Sequence, residues 1–242
     1  MYTDKNESSS LSNYIEQLTA PKYWDFQRFK NIEIVLAATD SYLPAYNRPD
    51  FINLGPFRTY RNELRDNTDR THHEWGMLVI ADTDPRSSTL FVTKSVEGTG
   101  HSVTLEVKYQ PGRDQFQKNI GLLHSHNVPK DAKAETKTGQ LSFSGKDYFN
   151  LLVNQNMQFF LLIYGETALL ALKTAATPNN MSEEKLTKRL DSLRDEFMRK
   201  KRGSFRERLV DFNKQVCIEF GMTLYLSSKD SGDMFVRVPV TD

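Results

Sequence analysis

Five side chains in this sequence have the types and spacing that hydrolytic chemistry uses: Glu74, His124, His126, Ser144 and Asp147. His124 and His126 stand two apart in GLLHSHN, where the period of two of a β-strand points both imidazoles to one face. That is a chelating arrangement. Asp147 follows in FSGKDYFNLL, one turn into an expected helix, and a connection that folds back brings its carboxylate to the same point. Two neutral imidazoles and a carboxylate make a three-ligand Zn2+ site, and three protein ligands with an open fourth position distinguish catalytic from structural zinc. Hydrolysis then needs a carboxylate to take a proton from water and pass it to the leaving amine. Glu74, at the head of WGMLVIA, is the candidate. Each piece taken alone has an ordinary alternative: half-exposed imidazoles on a strand, a Ser-x-x-Asp helix cap, a strand-leading carboxylate. Their joint occurrence in this order favours the site.

The elements that must hold these residues read as follows. From Trp75, short runs of β-branched and large apolar residues alternate with turn signals: WGMLVIA, STLFVTKSV, SVTLEVKY and KNIGLLHSH, read as strands joined by hairpins. In VTLEVKY, Val103, Leu105 and Val107 share one face and Thr104, Glu106 and Lys108 the other. Residues 127–143 have few apolar side chains and read as a loop. Ser144 is an N-cap with Asp147 three residues on, opening a helix. MQFFLLIYG and TALLALKTA read as two strands joined at Gly165 and Glu166. Leu186, Leu190, Leu193 and Phe197 form one helical seam, and Phe205, Leu209, Phe212, Val216 and Phe220 a second, with Gly203 between them. Terminal strands MTLYLSS and MFVRVPV follow.

Before the strands, residues 1–12 are polar and Ser-rich and read as a disordered start. Residues 11–43 read as helical in pieces, with Pro21 and Pro44 breaking them, and Pro49, Gly55 and Pro56 mark a loop-rich passage up to Arg70. Tyr23, Trp24, Phe26 and Phe29 form an aromatic cluster that would dock this segment. The division is therefore a start at 1–12, a catalytic domain at 13–175, and a helical extension with terminal strands at 176–242, packed on the same domain.

Composition narrows the partners. The 242 residues carry 32 Lys+Arg against 31 Asp+Glu, and that balance argues against a nucleic-acid or acidic-membrane partner. The tetrad Arg199-Lys200-Lys201-Arg202 reads as a solvated helix tip. Cys217, the single cysteine, excludes an internal disulfide and a Cys-rich zinc knuckle, so any metal must rest on His, Asp and Glu. Cys217 itself reads as a buried small hydrophobe. No basic leader followed by an apolar stretch opens the chain, which gives the expectation of a cytoplasmic protein or an effector secreted without a cleaved signal.

The order Glu, His-x-His, Ser-x-x-Asp resembles the JAMM (MPN-plus) zinc metalloprotease family in its bacterial-type form. The matching residues are Glu74 in HEWGMLVI, His124-Ser125-His126, and Ser144-Gly145-Lys146-Asp147, and the resemblance covers residues 70–173. It implies an α+β fold with a curved, mostly antiparallel sheet flanked by helices, to which this chain adds a C-terminal helical hairpin and terminal strands. It also implies zinc on His124, His126 and Asp147, Glu74 as general acid/base, and Ser144 supporting the oxyanion. The substrate implied is an isopeptide or peptide bond at the C-terminus of ubiquitin or a ubiquitin-like modifier. A non-catalytic MPN-like scaffold or binding module and a zinc amidase acting on a small-molecule or free-peptide amide are the other two readings. Three departures accompany the likeness. Seventeen residues, 127–143, separate His126 from Ser144, far more than the family's usual spacing; Asn127 follows His126 where a Pro is common; and Glu74 stands two residues before Gly76. The long loop, carrying Lys130, Lys133 and Lys137, would suit a lid over substrate. His72 and His73 are read as exposed and outside the site.

Overall fold

Three apolar runs centre the fold because helices cover both faces of the strands they form. In the computed structural model these are β5 (Gln117–Ser125), β6 (Phe159–Tyr164) and β7 (Thr167–Leu172). The structure describes residues 51–82, 89–100, 102–107, 112, 117–127, 142–165, 167–174, 176–178, 181–199, 203–227 and 232–239. The expectations for the start at 1–12 and the helical pieces at 11–43, the aromatic cluster at 23–29, the lysine-bearing lid and Lys200 to Arg202 lie outside the described residues. Along β6 the side chains alternate: Phe159, Leu161 and Ile163 enter one core layer, Phe160 and Leu162 the other. Gly165, at φ 51°, turns β6 back into β7 in a conformation that L side chains rarely adopt.

The protein is α+β, with an open, mostly antiparallel sheet. Its strand order is β1 (Phe51–Asn53), β9 (Met234–Arg237), β8 (Thr223–Ser227), β7, β6, β5, β2 (Trp75–Asp82) and β3 (Thr89–Val92), and β4 (Val96–Glu97) also pairs with β2. Only the β5 and β6 pair is parallel among these ladders. Helix α1 (Arg58–Thr71) covers one face, and α2 (Gly145–Val153), α3 (Glu183–Arg199) and α4 (Phe205–Glu219) cover the other. The strands of the 176–242 segment continue the sheet from β7. None of the described helices is long and apolar enough to cross a membrane.

The C-terminal hairpin follows its seams. Leu186, Leu190, Leu193 and Phe197 of α3 are buried, as are Phe212, Val216 and Cys217 of α4 and Phe220 just beyond it. Gly203 at φ 83° separates the helices, and Ser204 with Glu207 makes a capping box on α4. The Phe205 side chain lies outside the described residues.

Two expectations are corrected. The passage from Pro49 to Arg70, read as loop-rich, holds β1, a 3-10 turn at Gly55–Phe57 and the 14-residue α1. Pro56 sits in the first positions of the 3-10 turn, where no N–H is needed, and α1 buries only Leu64 and Thr68, so its apolar stripe is nearly invisible. The run around 103–107 is not part of the sheet. Its alternation holds at Val103 and Leu105, which are half-buried and pack over Gly76, but not at Val107, which is exposed, and at Gly76 both edges of β2 are already held, by β4 and β5. A Cβ on Gly76 would stand 2.9 Å from Leu105 Cδ1, so glycine is what admits this segment.

Candidate metal centre

Topology brings the candidate residues to one end of the sheet. β2 runs antiparallel to β5 with Gly76 opposite His124, which sets Glu74, two residues upstream, beside the C-terminal end of β5 and on the histidine side. β6 runs parallel to β5, so the chain must cross back before re-entering the sheet. Helix α2 makes that crossing, and a helix returning against the strand direction starts at the C-terminal end of β5. Its first turn, with Ser144 and Asp147, therefore sits over the histidines. Tyr148, Leu151 and Leu152 hold it on Phe160 and Leu162.

Within β5 the parity is set by a bulge. Val79 pairs with Gly121 but Ile80 with Asn119, which leaves Ile120 as the extra residue. Beyond it Leu122, His124 and His126 face α2, while Leu123 and Ser125 face α1. The Nε2 atoms of His124 and His126 are 3.2 Å apart. Asp147 Oδ1 lies 3.5 Å from His124 Nε2, and Oδ2 lies 4.0 Å from His126 Nε2. One ligand atom from each of the three residues lies within 4.8 Å of the others, and this group could hold a metal ion.

The cap of α2 orients the carboxylate. The Ser144 backbone N–H and hydroxyl both donate to Asp147 Oδ2, at 2.7 and 2.8 Å, and the Asp147 N–H donates back to Ser144 Oγ at 3.2 Å. Oδ1 is thereby the oxygen nearest His124. Ser144→Ala should cost about 1 kcal/mol of stability in urea melts, the usual value of a lost N-cap, and should also weaken metal binding by freeing the carboxylate.

Electrostatics separates the groups. Burial between the Phe143 and Phe160 rings pushes the His124 pKa down to about 4, with His126 adding and Asp147 opposing, so the imidazole is neutral and its lone pair is free for a metal. Burial raises the Asp147 carboxyl, but the two histidines and the Ser144 hydrogen bonds outweigh it, and the net direction is downward. Glu74 goes the other way, up to about 7, through burial first and the Asp147 charge second, with Lys146 opposing.

Two carboxylates in one cleft are thus driven apart, one fixed as an anion and one poised near neutrality. The Glu74 shift has a stability consequence. A carboxyl whose folded pKa is raised helps stability below its unfolded value near 4.5 and loses that help as pH climbs through about 7. In metal-free protein, Glu74→Gln should therefore be more stable than the parent at pH 8, and thermal melts should show the difference shrinking as pH falls towards 4.5.

Glu74 is held by its backbone: its N–H donates to Thr99 O at 2.7 Å and its carbonyl accepts from Gly98 N–H at 2.8 Å. The next residue is fixed from the other side of the sheet. Ser125 Oγ accepts from Trp75 N–H at 3.1 Å and hydrogen-bonds Thr68 Oγ1 of α1, while the Trp75 indole N–H donates to Thr71 Oγ1 at 2.9 Å. His72 and His73 are exposed, as expected; His72 ends α1 at φ 59° and His73 hydrogen-bonds Glu97.

The site opens into a cleft of about 390 Å³, with Ser102 and Val103 on one wall and Arg194, Met198, Leu209 and Phe212 of α3 and α4 on the other. The sequence reading missed this second wall. Arg194 and Met198 each follow a buried seam residue by one position, which marks the edge of the α3 seam and is the only signal they carry. Ser125 and Thr68 were also missed, because only the α1 packing shows what the serine between the histidines touches. Compared with family models, curated proteins and solved structures, the chain matches none.

Proposed function

We propose that the protein is a zinc-dependent hydrolase of isopeptide or peptide bonds, of the JAMM type, acting at the C-terminus of ubiquitin or a ubiquitin-like modifier. The observation that carries the reading is the convergence in one cleft of two buried imidazoles, a carboxylate lowered in pKa and a carboxyl raised to about 7. Zinc suits the donor set. Ligands about 2.0–2.1 Å from a tetrahedral ion lie roughly 3.3 Å from each other, and the 3.2 and 3.5 Å separations at His124 match that spacing. A buried pair of imidazole nitrogens with one carboxylate also favours zinc over the oxygen-seeking Mg2+ and Ca2+.

His124, His126 and Asp147 would hold the ion, and zinc supplies Lewis acidity to polarise the scissile carbonyl and acidify water. Glu74 takes the proton from the attacking water and delivers it to the departing nitrogen, which requires a group that is both base and acid near neutral pH. Ser144, exposed at the start of α2, would rotate its hydroxyl from Asp147 Oδ2 to the developing oxyanion when substrate is bound, its backbone N–H still holding Asp147, helped by the positive end of the helix.

A non-catalytic scaffold has no use for a raised Glu74 beside a complete ligand set. Incubating the zinc-loaded protein with ubiquitin-like conjugates and, separately, with short acyl amides tests the substrate class. Cleavage of the conjugates is expected; turnover of the short amides alone would place the protein with small-molecule amidases.

A further inference from the structure

The C-terminal extension reaches the metal centre through buried hydrogen bonds as well as through the cleft wall. Asn213 of α4 is buried beside Phe212, and an amide out of water needs partners for both its oxygen and its nitrogen. It has them. The Tyr148 hydroxyl donates to Asn213 Oδ1 at 2.7 Å, while Asn213 Nδ2 donates to Ser142 Oγ and, at 2.7 Å, to Leu209 O one turn back on its own helix. Ser142 Oγ in turn donates to Phe143 O at 3.0 Å. Ser142 and Tyr148 are themselves buried, so water does not compete for these bonds.

The two side chains that Asn213 holds bracket the ligand-bearing turn. Ser142 precedes the N-cap Ser144 by two residues, and Tyr148 follows Asp147 directly, so a single amide from α4 grips the turn on both sides. Ring contacts carry the same constraint to a histidine. The Phe143 ring centre lies 5.4 Å from that of Tyr148 and 6.3 Å from that of His124, and Tyr148 meets Phe212 of α4 at 6.1 Å. The Ser144 cap orients the Asp147 carboxylate within the turn, but its bonds are local and do not set the turn against β5. Apolar packing of α2 on β6 is non-directional, whereas a fully paired buried network specifies one arrangement.

We infer that Asn213 is a positioning residue of the metal centre, whose amide clamps both ends of residues 142–148 and so fixes where the Asp147 carboxylate meets His124 and His126. The inference rests on the metal reading of those three ligands and not on turnover. It gives the C-terminal extension a part in metal binding, 65 residues along the chain from the turn it holds.

The test measures the zinc affinity of the full-length protein by competition with a chromogenic chelator, and the visible spectrum of the cobalt-substituted form, which reports ligand geometry. Asn213→Ala should weaken zinc binding about 10–100-fold, the range for losing a group that orients a metal ligand, and should shift the cobalt bands. Tyr148→Phe removes one hydroxyl and little volume, and should move both readouts in the same direction by a smaller factor. Leu224→Ala lies in the same core layer but makes none of these side-chain bonds. It should lower the melting temperature through the cavity it leaves and keep both readouts at parental values. If Asn213→Ala does not fold, Tyr148→Phe carries the test by itself. Parental zinc affinity and an unshifted cobalt spectrum in the folded network variants overturn the inference, and so does an equal weakening in Leu224→Ala. A parent protein that binds no zinc overturns the metal reading and this inference together, whereas zinc on the parent with unresponsive variants overturns this inference alone.

Discussion

Glu74→Gln is expected to lower turnover of an amide substrate by about 10²–10⁴-fold, the range that a positioned general acid/base supplies, while leaving metal content unchanged. The amide is nearly isosteric with the carboxyl, and Glu74 is not among the three converging ligands, so neither the fold nor the metal should respond. The pH profile sharpens the prediction. With the carboxyl raised to about 7 by burial and Asp147, activity of the parent should fall as pH drops and the base is protonated, and a bound cation moves that limb to lower pH by favouring the carboxylate. Residual activity of Glu74→Gln should lack this limb. Zinc loss in the variant would show that Glu74 is a ligand rather than the proton carrier.

His126→Ala should lose both metal and activity. It removes one of three donors at the end of β5, and since changing even a group that merely orients a ligand costs about 10–100-fold in metal affinity, the loss here should exceed about 100-fold. The fold has reason to survive: His126 lies past the last residue of β5, and its backbone N–H, which bonds Ile163 O at 3.0 Å, is retained by alanine. Metal titration followed by circular dichroism separates loss of a ligand from loss of structure. A variant that still binds zinc with parental affinity would remove His126 from the ligand set.

Much of this site was legible in the sequence because its local rules are strong. The period of two placed both imidazoles on one face, and Ser144 with Asp147 announced a helix start that is also a capping box. The apolar seams at three and four gave α3 and α4 for the same reason: a helix that must bury one stripe writes it into the chain. What stayed hidden depends on partners far away in sequence. α1 buries Leu64 and Thr68 and leaves the rest of its surface polar, so its pattern matched a loop. The alternation at 103–107 reported that Val103 and Leu105 turn inward, missed that Val107 does not, and could not decide whether the backbone joins a ladder. The convergence of Glu74, the histidines and Asp147 required the β5 and β6 pair to be parallel, a fact of topology that no local window contains. The spacing of His124, His126 and Asp147 gave the expectation that a connection folds back, and at the end of β5 the three do come together.

The same distinction explains the cleft walls. Arg194, Met198, Leu209 and Phe212 come from helices whose apolar seams were plain, yet which seam edge faces the metal follows only from how α3 and α4 lie on α2 and β6. The C-terminal extension is therefore part of the site's architecture, and substitutions there should change substrate preference before they change metal binding.

Zinc stoichiometry tests the central claim most directly. Protein purified without chelator and equilibrated with micromolar zinc should carry one zinc per chain by elemental analysis, and so should Glu74→Gln, while His126→Ala should carry none. A folded parent protein that takes up no zinc under these conditions would contradict the account.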